Sequence, residues 1–577
     1  MSHRVHLFSL RIAHALRETL NDAPYGLKTF TKDLMAGITV GVIAIPLAMA
    51  LAIAIGVAPQ YGLYTAIIAG FLIPLTGGSR YSVSGPTAAF VVILYPVVQQ
   101  YGIAGLLIAT IMAGIILVMM ALLRLGRYIE YIPEPVTLGF TAGIAVVIAI
   151  LQLKDFFGLT ITAMPENFTD KVMVLTQALP DFSAWPLIVG LVTLAVMLLW
   201  PRLKTPIPAH LPAVMFGSLI AFTFNSQGLD VATIGSTFSF TLPDGTLGSG
   251  IPSVLPNFQW PWLRTQPNEA VLILSWQLAK DLLSAAFAIA MLAAIESLLC
   301  AVVLDGMSGK KHSANSELLG QGIGNIITPF FGGITATAAI ARSAVNFKTG
   351  AKTPIAAMVH AVVVFVSLLS LSSALAYLPM ASMAALLIMV AWNMSEAPKA
   401  LHLLAKAPRS EIVVFTVCFA LTVLFDMVIA ITAGIVLASL LFMKQIAEMT
   451  QVHDITEHNK LVNLHVPDGW KIFKINGPLF FAAADRVFGE LSQLCTKEQG
   501  VVLYLDGVSI LDSGGVAALN KFIDKCGKSG TRIYLADFQF QPLKTLAKSG
   551  FRPDGVICET YSTLSAALNA LPASRVK

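Results

Sequence analysis

Long apolar runs are the feature that most constrains this chain. From about Leu34 onward, runs of roughly 15 to 25 apolar residues recur between short turns, and each is long enough to cross a bilayer as a helix. The chain is 56% hydrophobic and 12% charged, whereas soluble proteins carry about 25% charged residues. After Lys444 the sequence becomes mixed and polar. The sequence therefore predicts an α-helical polytopic membrane protein with an N-terminal arm (1–33), a transmembrane domain (34–445) and a C-terminal domain (446–577).

We predict about fourteen membrane spans, and the basic residues agree with that number. Lys and Arg concentrate in the even-numbered connections, for example at Arg80, Arg124, Arg202 and Lys310, which predicts a cytoplasmic N-terminus and C-terminal domain. Fourteen spans divide into seven plus seven, so that the second half is inverted relative to the first. The predicted span cores are 34–56, 62–76, 83–97, 103–123, 132–152, 185–200, 209–224, 283–303, 318–331, 337–347, 355–377, 382–395, 411–425 and 427–443.

Two segments interrupt the apolar sequence in the same way, in the third span of each half. The first is Ser82–Phe90 and the second is Gly332–Ser343. Each opens with helix breakers and small hydroxyl residues and then becomes helix-forming. A helix that starts inside the membrane points unpaired backbone N–H groups and a positive dipole end into the protein interior. Two such half-helices in matching positions indicate a transporter site near the bilayer midplane.

Two charged residues within these apolar helices are candidates for the chemistry of such a site. Arg342 indicates an anionic ligand, because a guanidinium, backbone N–H groups and hydroxyls can bind an anion without a metal. Alternatively, Arg342 lies at a cytoplasmic helix end and extends to the interface. Glu296 is a carboxylate within an apolar helix, and it could couple transport to a cation by binding H⁺ or Na⁺. Its alternative role is a fixed partner for Arg342 or for a backbone group.

The C-terminal domain alternates short strands with helices. Asp512 and Ser513 open one of these helices, either as a helix N-cap or as a regulatory loop that binds or is modified. The sequence shows no zinc-ligand spacing and no long basic run, so we expect neither a metal site nor nucleic-acid binding. Strands at 472–476, 501–505 and 531–536 and helices at about 482–496, 514–526 and 541–549 predict a small α/β domain with a covered sheet.

Several motifs resemble the SulP/solute carrier 26 anion transporter family over nearly the full length of the chain. They are Val57-Ala-Pro-Gln-Tyr-Gly-Leu-Tyr64, the Ser-Gly-Pro-Thr of the first break, Asn315-Ser-Glu-Leu-Leu-Gly-Gln-Gly-Ile-Gly-Asn325, Phe331-Gly-Gly and a STAS-like C-terminal domain. The resemblance implies an inverted repeat with core and gate subdomains, an elevator-like motion and a homodimer. It also implies a substrate between the third and tenth spans, with Glu296 facing it from the eighth span. The lining residues implied in this way are Ser84, Gly85, Thr87, Ala88, Ala339, Ile340, Ala341, Arg342 and Ser343.

One departure from the family's pattern bears on the substrate. Sulfate-type members read Ile-Pro-Gln-Gly-Met-Ala-Tyr in the first span, whereas Leu47 and Leu51 replace the Gln and Tyr here. This segment, together with Thr76–Thr87 and Ala294–Gly306, resembles the bacterial DauA-type subgroup. That resemblance implies uptake of C4-dicarboxylates such as succinate, fumarate and aspartate at the inner membrane. A more apolar pocket wall suits a four-carbon chain better than a tetrahedral oxyanion.

The sequence thus predicts a secondary active transporter, not an enzyme, that imports C4-dicarboxylates across the bacterial inner membrane by alternating access. We expect a proton, or else Na⁺, as the coupling ion, and no other cofactor. Two alternatives within transport are a sulfate or Na⁺-coupled bicarbonate transporter and an anion channel. An alternative of a different class is a membrane sensor or scaffold that recruits cytosolic proteins through the STAS-like domain.

Overall fold

The chain forms two compact units, one ending at Ile435 and one beginning at Val436. Eight helices of the described residues are long and apolar enough to cross a membrane by length and composition. The first eight residues of the predicted N-terminal arm lie outside the described residues. The computed structural model describes residues 9–22, 24–129, 131–161, 164–165, 167–203, 205, 207–241, 247–265, 272–425, 427–457, 466–495 and 498–572.

Helices follow each of the fourteen predicted spans, which confirms the predicted helical membrane fold. The spans are Leu27–Ile55, Pro59–Thr76, Val91–Leu122 (the third and fourth), Glu134–Phe157, Ala184–Leu199, His210–Ser226, Trp276–Ser308, Ala314–Ile327, Ile340–Lys348, Ile355–Leu375, Met380–Met394, Arg409–Leu424 and Met427–Glu448. Shorter helices are His14–Asp22, Gly126–Ile129, Phe168–Ala178, Ile234–Thr237 and Ala397–Lys406. Four short strands are β1 (Ser84–Gly85), β2 (Ser239–Thr241), β3 (Leu247–Ser249) and β4 (Thr337–Ala338).

The third and fourth spans are separated by a break at one glycine. Gly102 has φ 64° and ψ −170°, which lies outside the helical region. A residue with a side chain would be strained in this conformation, so glycine allows the chain to leave one helix and begin the next. The third span is therefore short, as the sequence predicts for a half-helix that begins inside the membrane.

The spans pack into two groups. In the first, span 1 packs on span 11, span 2 packs on spans 9 and 11, and the third and fourth spans pack on spans 8 and 9. In the second, span 5 packs on spans 12 and 13, and span 6 packs on spans 7 and 12. Spans 1 and 11 approach closely because span 1 presents glycines: a Cβ at Gly37 would lie 2.6 Å from Val359. The grouping is consistent with core and gate subdomains of a seven-plus-seven repeat.

The N-terminal arm packs on the end of the second span. The Ala13 amide donates to the Thr76 carbonyl at 2.8 Å. Arg80, which follows the second span, forms ion pairs with Glu18 at 3.2 Å and with Asp22 at 2.6 Å. The arm therefore covers the turn that leads from the second span into the first non-helical segment.

The second unit contains a five-stranded sheet with covered faces, which confirms the predicted α/β domain. Strand β5 pairs antiparallel with β6, and the remaining pairs are parallel. Neighbouring residues of β7 enter different apolar clusters, since Leu503 packs with Phe522 and Val502 packs with Leu564. The strands, in sheet order, are β5 (Gln451–Asp454), β6 (Trp470–Asn476), β7 (Gly500–Gly507), β8 (Arg532–Ala536) and β9 (Cys558–Tyr561). The helices are Phe481–Cys495, Ser513–Ser529, Phe540–Lys548 and Leu564–Asn569.

Candidate functional site

The two non-helical segments predicted from the sequence meet and pair with each other. Strand β1 lies antiparallel to β4, with Ser84 opposite Ala338 and Gly85 opposite Thr337. The Ala339 amide extends the pairing by donating to the Val83 carbonyl at 3.0 Å. Pairing satisfies backbone groups that would otherwise be unpaired within the membrane. It also brings the starts of the third and tenth spans together.

Both half-helices begin without a side-chain cap. Thr87 precedes the short 3-10 turn that contains Ala88 and leads into the third span, and its side chain makes no capping hydrogen bond. Ala339 precedes the tenth span and has no capping group on its side chain. Ile340 is 42% exposed and Ala341 is also exposed, whereas Ala88 is buried. Helix starts of this kind carry backbone N–H groups without helical partners and a partial positive charge, which together favour an anion.

Arg342 extends from the tenth span across to the first non-helical segment. Its side chain is only 4% exposed, and Nη2 donates to the Pro86 carbonyl at 2.5 Å. Nη1 is buried and has no hydrogen-bond partner among the described residues. A Cβ at Gly85 would lie 2.9 Å from this nitrogen, so the absence of a side chain there leaves room for the guanidinium. The arrangement places one unsatisfied cationic donor beside both helix starts.

Glu296 approaches the same place from the eighth span. The Thr87 hydroxyl donates to its Oε2 at 2.8 Å, and its carboxylate interacts electrostatically with Arg342. The next residue, Ser297, shares a hydrogen bond of 2.7 Å with Thr337 of β4. The eighth span therefore contacts both non-helical segments, and Glu296 is positioned to respond to charge at the helix starts.

Two of the predicted lining residues are fully buried and bonded within the protein. The Ser84 hydroxyl accepts from Gln321 at 3.2 Å, and the Ser343 hydroxyl accepts from the Val83 amide at 2.9 Å. Their side chains hold the first segment in place. Of the nine predicted lining residues, Gly85, Thr87 and Arg342 are the ones with contacts that converge on Glu296 or on the unpartnered guanidinium nitrogen.

A row of buried polar residues on the ninth span is not among the candidate site residues predicted from the sequence. Glu317, Gln321 and Asn325 are spaced by four residues and therefore lie on one face of the helix. Gln321 and Asn325 contact the non-helical segments, and Glu317 contacts the turn that precedes the first of them. Thr65 of the second span also contacts the second segment, because its hydroxyl accepts from the Ile334 amide at 2.7 Å. The four-residue spacing of polar side chains in an otherwise apolar helix was the available signal.

Asp512 and Ser513 lie in the other unit, at the start of the helix Ser513–Ser529. One Asp512 oxygen accepts from the Gly515 amide at 2.7 Å, which is the geometry of an N-cap. The second oxygen accepts from the Phe481 amide at 3.2 Å. Ser513 is exposed. The carboxylate therefore has a structural role, and a regulatory role for Ser513 stays a prediction. Within the described residues, no three His, Cys, Asp or Glu side chains lie close enough to hold a metal.

Comparison with known proteins shows similarity along most of the chain. Residues 30–418 match the sulfate permease family, and residues 462–567 match the STAS domain. The chain is 39% identical over 527 residues to "Putative sulfate transporter YvdB" of Bacillus subtilis (strain 168), covering 91% of this chain and 95% of that protein. It is 27% identical over 540 residues to the bicarbonate transporter BicA of Picosynechococcus, covering 89% and 90% of the two chains.

A solved structure shows the same fold at low sequence identity. The murine solute carrier 26 family member A9 anion transporter, in its inward-facing state, superposes with a TM-score of 0.81. The superposition covers 98% of this chain and 95% of that chain, at 19% identity. At this identity the likeness concerns the fold.

Proposed function

Because the chain belongs to the sulfate permease family of anion transporters, we propose that it imports C4-dicarboxylates such as succinate, fumarate and aspartate in symport with protons. The observation that carries the proposal is Arg342, whose buried Nη1 has no partner in the described part of the chain and lies beside two uncapped helix starts. A carboxylate would accept from this nitrogen and from backbone N–H groups of the first helical turns. Burial strengthens such charge-assisted hydrogen bonds, since water does not compete for the donors.

Two buried leucines on the first span support an organic anion. Leu47 and Leu51 of the first span are 9% and 4% exposed, and they belong to the apolar cluster that also contains Phe90 and Leu387. Polar residues at these two positions would offer hydrogen bonds to a small oxyanion. Leucines instead offer contact to a hydrocarbon chain, which favours a ligand with methylene groups between its charges.

Glu296 provides a route for coupling anion binding to a proton. In its ionised form the carboxylate attracts Arg342 and competes with the substrate for the guanidinium charge. Protonation removes this competition, so a proton and an anion bind more favourably together than apart, and the coupling is reciprocal. Na⁺ beside the same carboxylate would act similarly. Cytoplasmic termini, a homodimer in the inner membrane and a cytosolic partner of the STAS domain are parts of the same proposal.

The two groups of spans suggest how the site is exposed to each side. We propose that the group formed by spans 1–4 and 8–11 moves with the anion relative to spans 5–7 and 12–14. Both half-helices, Arg342 and Glu296 belong to the first group. The binding groups therefore keep their mutual geometry while the group moves, which is how an elevator-like transporter changes access without dismantling its site.

A second candidate is uptake of sulfate or of bicarbonate with Na⁺. It is favoured by the names of the relatives, one called a sulfate transporter and another called a bicarbonate transporter. The same helix starts and Arg342 would bind either inorganic anion. The difference between the candidates lies in the apolar wall and in the coupling ion.

Uptake by purified protein in liposomes separates the candidates. Labelled succinate, sulfate and bicarbonate are each offered with the vesicle interior alkaline, with and without Na⁺. We expect succinate to accumulate with the pH gradient in the wild type, and Glu296→Gln to lose this dependence while still exchanging succinate. The matched control is Asp305→Asn, a change in the same helix outside the site. Sulfate uptake, or Na⁺-dependent bicarbonate uptake, with no succinate transport would replace the dicarboxylate proposal.

A further inference from the structure

One face of the ninth span carries polar side chains that contact both non-helical segments. Glu317 is 1% exposed, and Gln321 and Asn325 are fully buried. A buried polar group is costly unless its hydrogen bonds are made, and a buried carboxylate is costlier than an amide. The hydrogen-bond partners of these side chains therefore account for their presence in an apolar helix.

Glu317 stabilises the turn that precedes the first non-helical segment. Its Oε2 accepts from the Gly78 amide at 3.0 Å and from the Ser79 amide at 2.9 Å. Its Oε1 accepts from Gln321 Nε2 at 3.1 Å. Three donors thus converge on one side chain, and an ionised carboxylate is the group that accepts from all three without presenting a hydrogen of its own.

The carboxylate also dictates which way the Gln321 amide faces. Gln321 Nε2 donates to Glu317 and, at 3.2 Å, to the Ser84 hydroxyl of β1. Its Oε1 is buried, and no residue that the structure describes hydrogen-bonds to it. The reversed amide would place an oxygen against the Glu317 carboxylate, so the observed orientation is retained although it leaves one acceptor unsatisfied. Glu317 therefore acts through Gln321 on Ser84.

Asn325 performs the corresponding task for the second segment. Its Oδ1 accepts from the Ala336 amide at 2.8 Å, and its Nδ2 donates to the Ala336 carbonyl at 2.8 Å. One helix face therefore fixes Ser84 of β1 and Ala336, which lies next to β4. Because β1 and β4 pair, a shift of either segment moves the helix starts and the contact of Arg342 with Pro86.

We propose that Glu317 is a positioning residue for the anion site, acting through Gln321 and Ser84 to set the first half-helix against Arg342. Glu317 itself does not touch the anion. The inference rests on the proposed function only in that the paired segments bind an anion, whichever anion that is. Its consequence is that the charge state and shape of this side chain control affinity for the transported anion.

Glu317→Gln is the first test, because the hydrogen bonds predict a folded protein with an altered site. The amide oxygen of the new side chain would accept from the Gly78 and Ser79 amides, and its nitrogen would face Gln321. Gln321 would then reverse its own amide, so Ser84 would donate where it now accepts. We expect the melting temperature to stay close to that of the wild type while the KM for uptake rises by about tenfold, the effect of one lost charge-assisted contact.

Two further variants keep the test decisive. Gln321→Leu removes the link to Ser84 and leaves both backbone contacts of Glu317, so it must raise KM even if Glu317→Gln does not fold. Asn315→Ala is the matched control, since Asn315 lies at the same buried helix end and accepts from the Gly126 amide, which follows the fourth span. We expect this control to lower the melting temperature and to leave KM unchanged.

The outcomes distinguish this inference from the dicarboxylate proposal. KM is measured with whichever of succinate, sulfate or bicarbonate the wild type transports, so the identity of the substrate does not decide the result. A raised KM in Gln321→Leu and in any folded Glu317→Gln protein, with wild-type KM in Asn315→Ala, supports the positioning role. A wild-type KM in Gln321→Leu or in a folded Glu317→Gln protein, or an equal rise in Asn315→Ala, overturns it.

Discussion

The two non-helical segments occupy equivalent places in the repeat, but they are held by different chemistry. At the first segment, the Glu317 carboxylate accepts from the preceding turn, and the Arg342 guanidinium donates to Pro86. The second is held by neutral groups, chiefly Asn325 and Thr65. The comparison shows that a repeated architecture need not repeat its charges. The second half of the repeat contributes the cation of the proposed site, Arg342, and the first half contributes its acceptor, the Pro86 carbonyl.

This asymmetry has a physical reason. A guanidinium buried near the helix starts adds to their positive potential. This potential attracts an anion, but it destabilises the site when no anion is bound. The carboxylates Glu296 and Glu317 lie on the eighth and ninth spans, next to the first segment. These carboxylates place negative charge near the first segment, which the Arg342 guanidinium contacts. The second segment is stabilised by hydrogen bonds to neutral groups.

Removing Arg342 should produce the largest effect. In Arg342→Gln the anion loses its only cationic contact within the described part of the site, and we expect kcat/KM for uptake to fall roughly a hundredfold or more, as for loss of a buried charge-pair partner. Arg264→Gln is a suitable control, because Arg264 is also a buried arginine but binds the Asn257 and Phe330 carbonyls. Similar losses in both variants would mean that the site does not depend on Arg342.

Filling the space at Gly85 should have the next largest effect on anion binding. In Gly85→Ala the new Cβ would lie 2.9 Å from Arg342 Nη1, so the guanidinium must move away from the first segment. We expect about a tenfold rise in KM, corresponding to about 1.4 kcal/mol of lost anion binding. Gly306→Ala in the eighth span meets no atom within 4 Å and should leave KM unchanged.

A charged residue at Asn325 tests whether the second segment requires a neutral partner. In Asn325→Asp the carboxylate can still accept from the Ala336 amide, but it can no longer donate to the Ala336 and Gln321 carbonyls. We expect a loss of about 2–3 kcal/mol in the free energy of unfolding, because buried acceptors lose their donor. A melting temperature equal to that of the wild type would show that the two segments tolerate charge equally.

Thr65→Val should have a smaller effect on the same segment. Valine keeps the shape of the side chain but leaves the buried Ile334 amide without its acceptor. The expected loss is about 1–2 kcal/mol in the free energy of unfolding, measured as a lower melting temperature in detergent. Thr19→Val in the arm loses a part-buried bond to the Ala15 carbonyl and should cost less.

The smallest expected effect is a dependence on pH of the packing of the N-terminal arm against the turn that precedes the first segment. The Arg80 guanidinium lowers the pKa of Asp22 below its ordinary value, chiefly through their hydrogen bond. This contribution to docking is therefore complete above the ordinary carboxyl pKa and is lost as pH falls through the lowered value. Asp22 is 44% exposed, so solvent screens the pair and the effect stays small. Hydrogen exchange of the helix His14–Asp22 at neutral and strongly acidic pH measures it, and equal protection would contradict it.

Much of the fold could be predicted because it follows from patterns within short stretches of sequence. Apolar length indicated the spans, and the glycine and hydroxyl residues before the third and tenth spans indicated the two breaks. The alternation of strand and helix indicated the second unit, with β7 observed at Gly500–Gly507 where 501–505 was predicted. Each of these signals is local, and burial in a membrane strengthens it.

The detailed site could not be predicted because it depends on contacts between distant segments. The pairing of Ser84 with Ala338 joins residues far apart in the chain, and the sequence does not specify that register. The sequence marks Ser84 as part of the first break, but it does not indicate that the Ser84 hydroxyl accepts from Gln321. Glu317 lies within a motif that carries the family resemblance, but two of its three donors, the Gly78 and Ser79 amides, come from the turn after the second span.

The most direct measurement is equilibrium binding of labelled succinate to purified protein, compared between the wild type and Arg342→Gln at matched melting temperature. We expect saturable binding to the wild type that fumarate displaces, and loss of that binding in the variant. Wild-type succinate affinity in a folded Arg342→Gln protein would contradict the claim that the anion is held by Arg342 between the two paired segments.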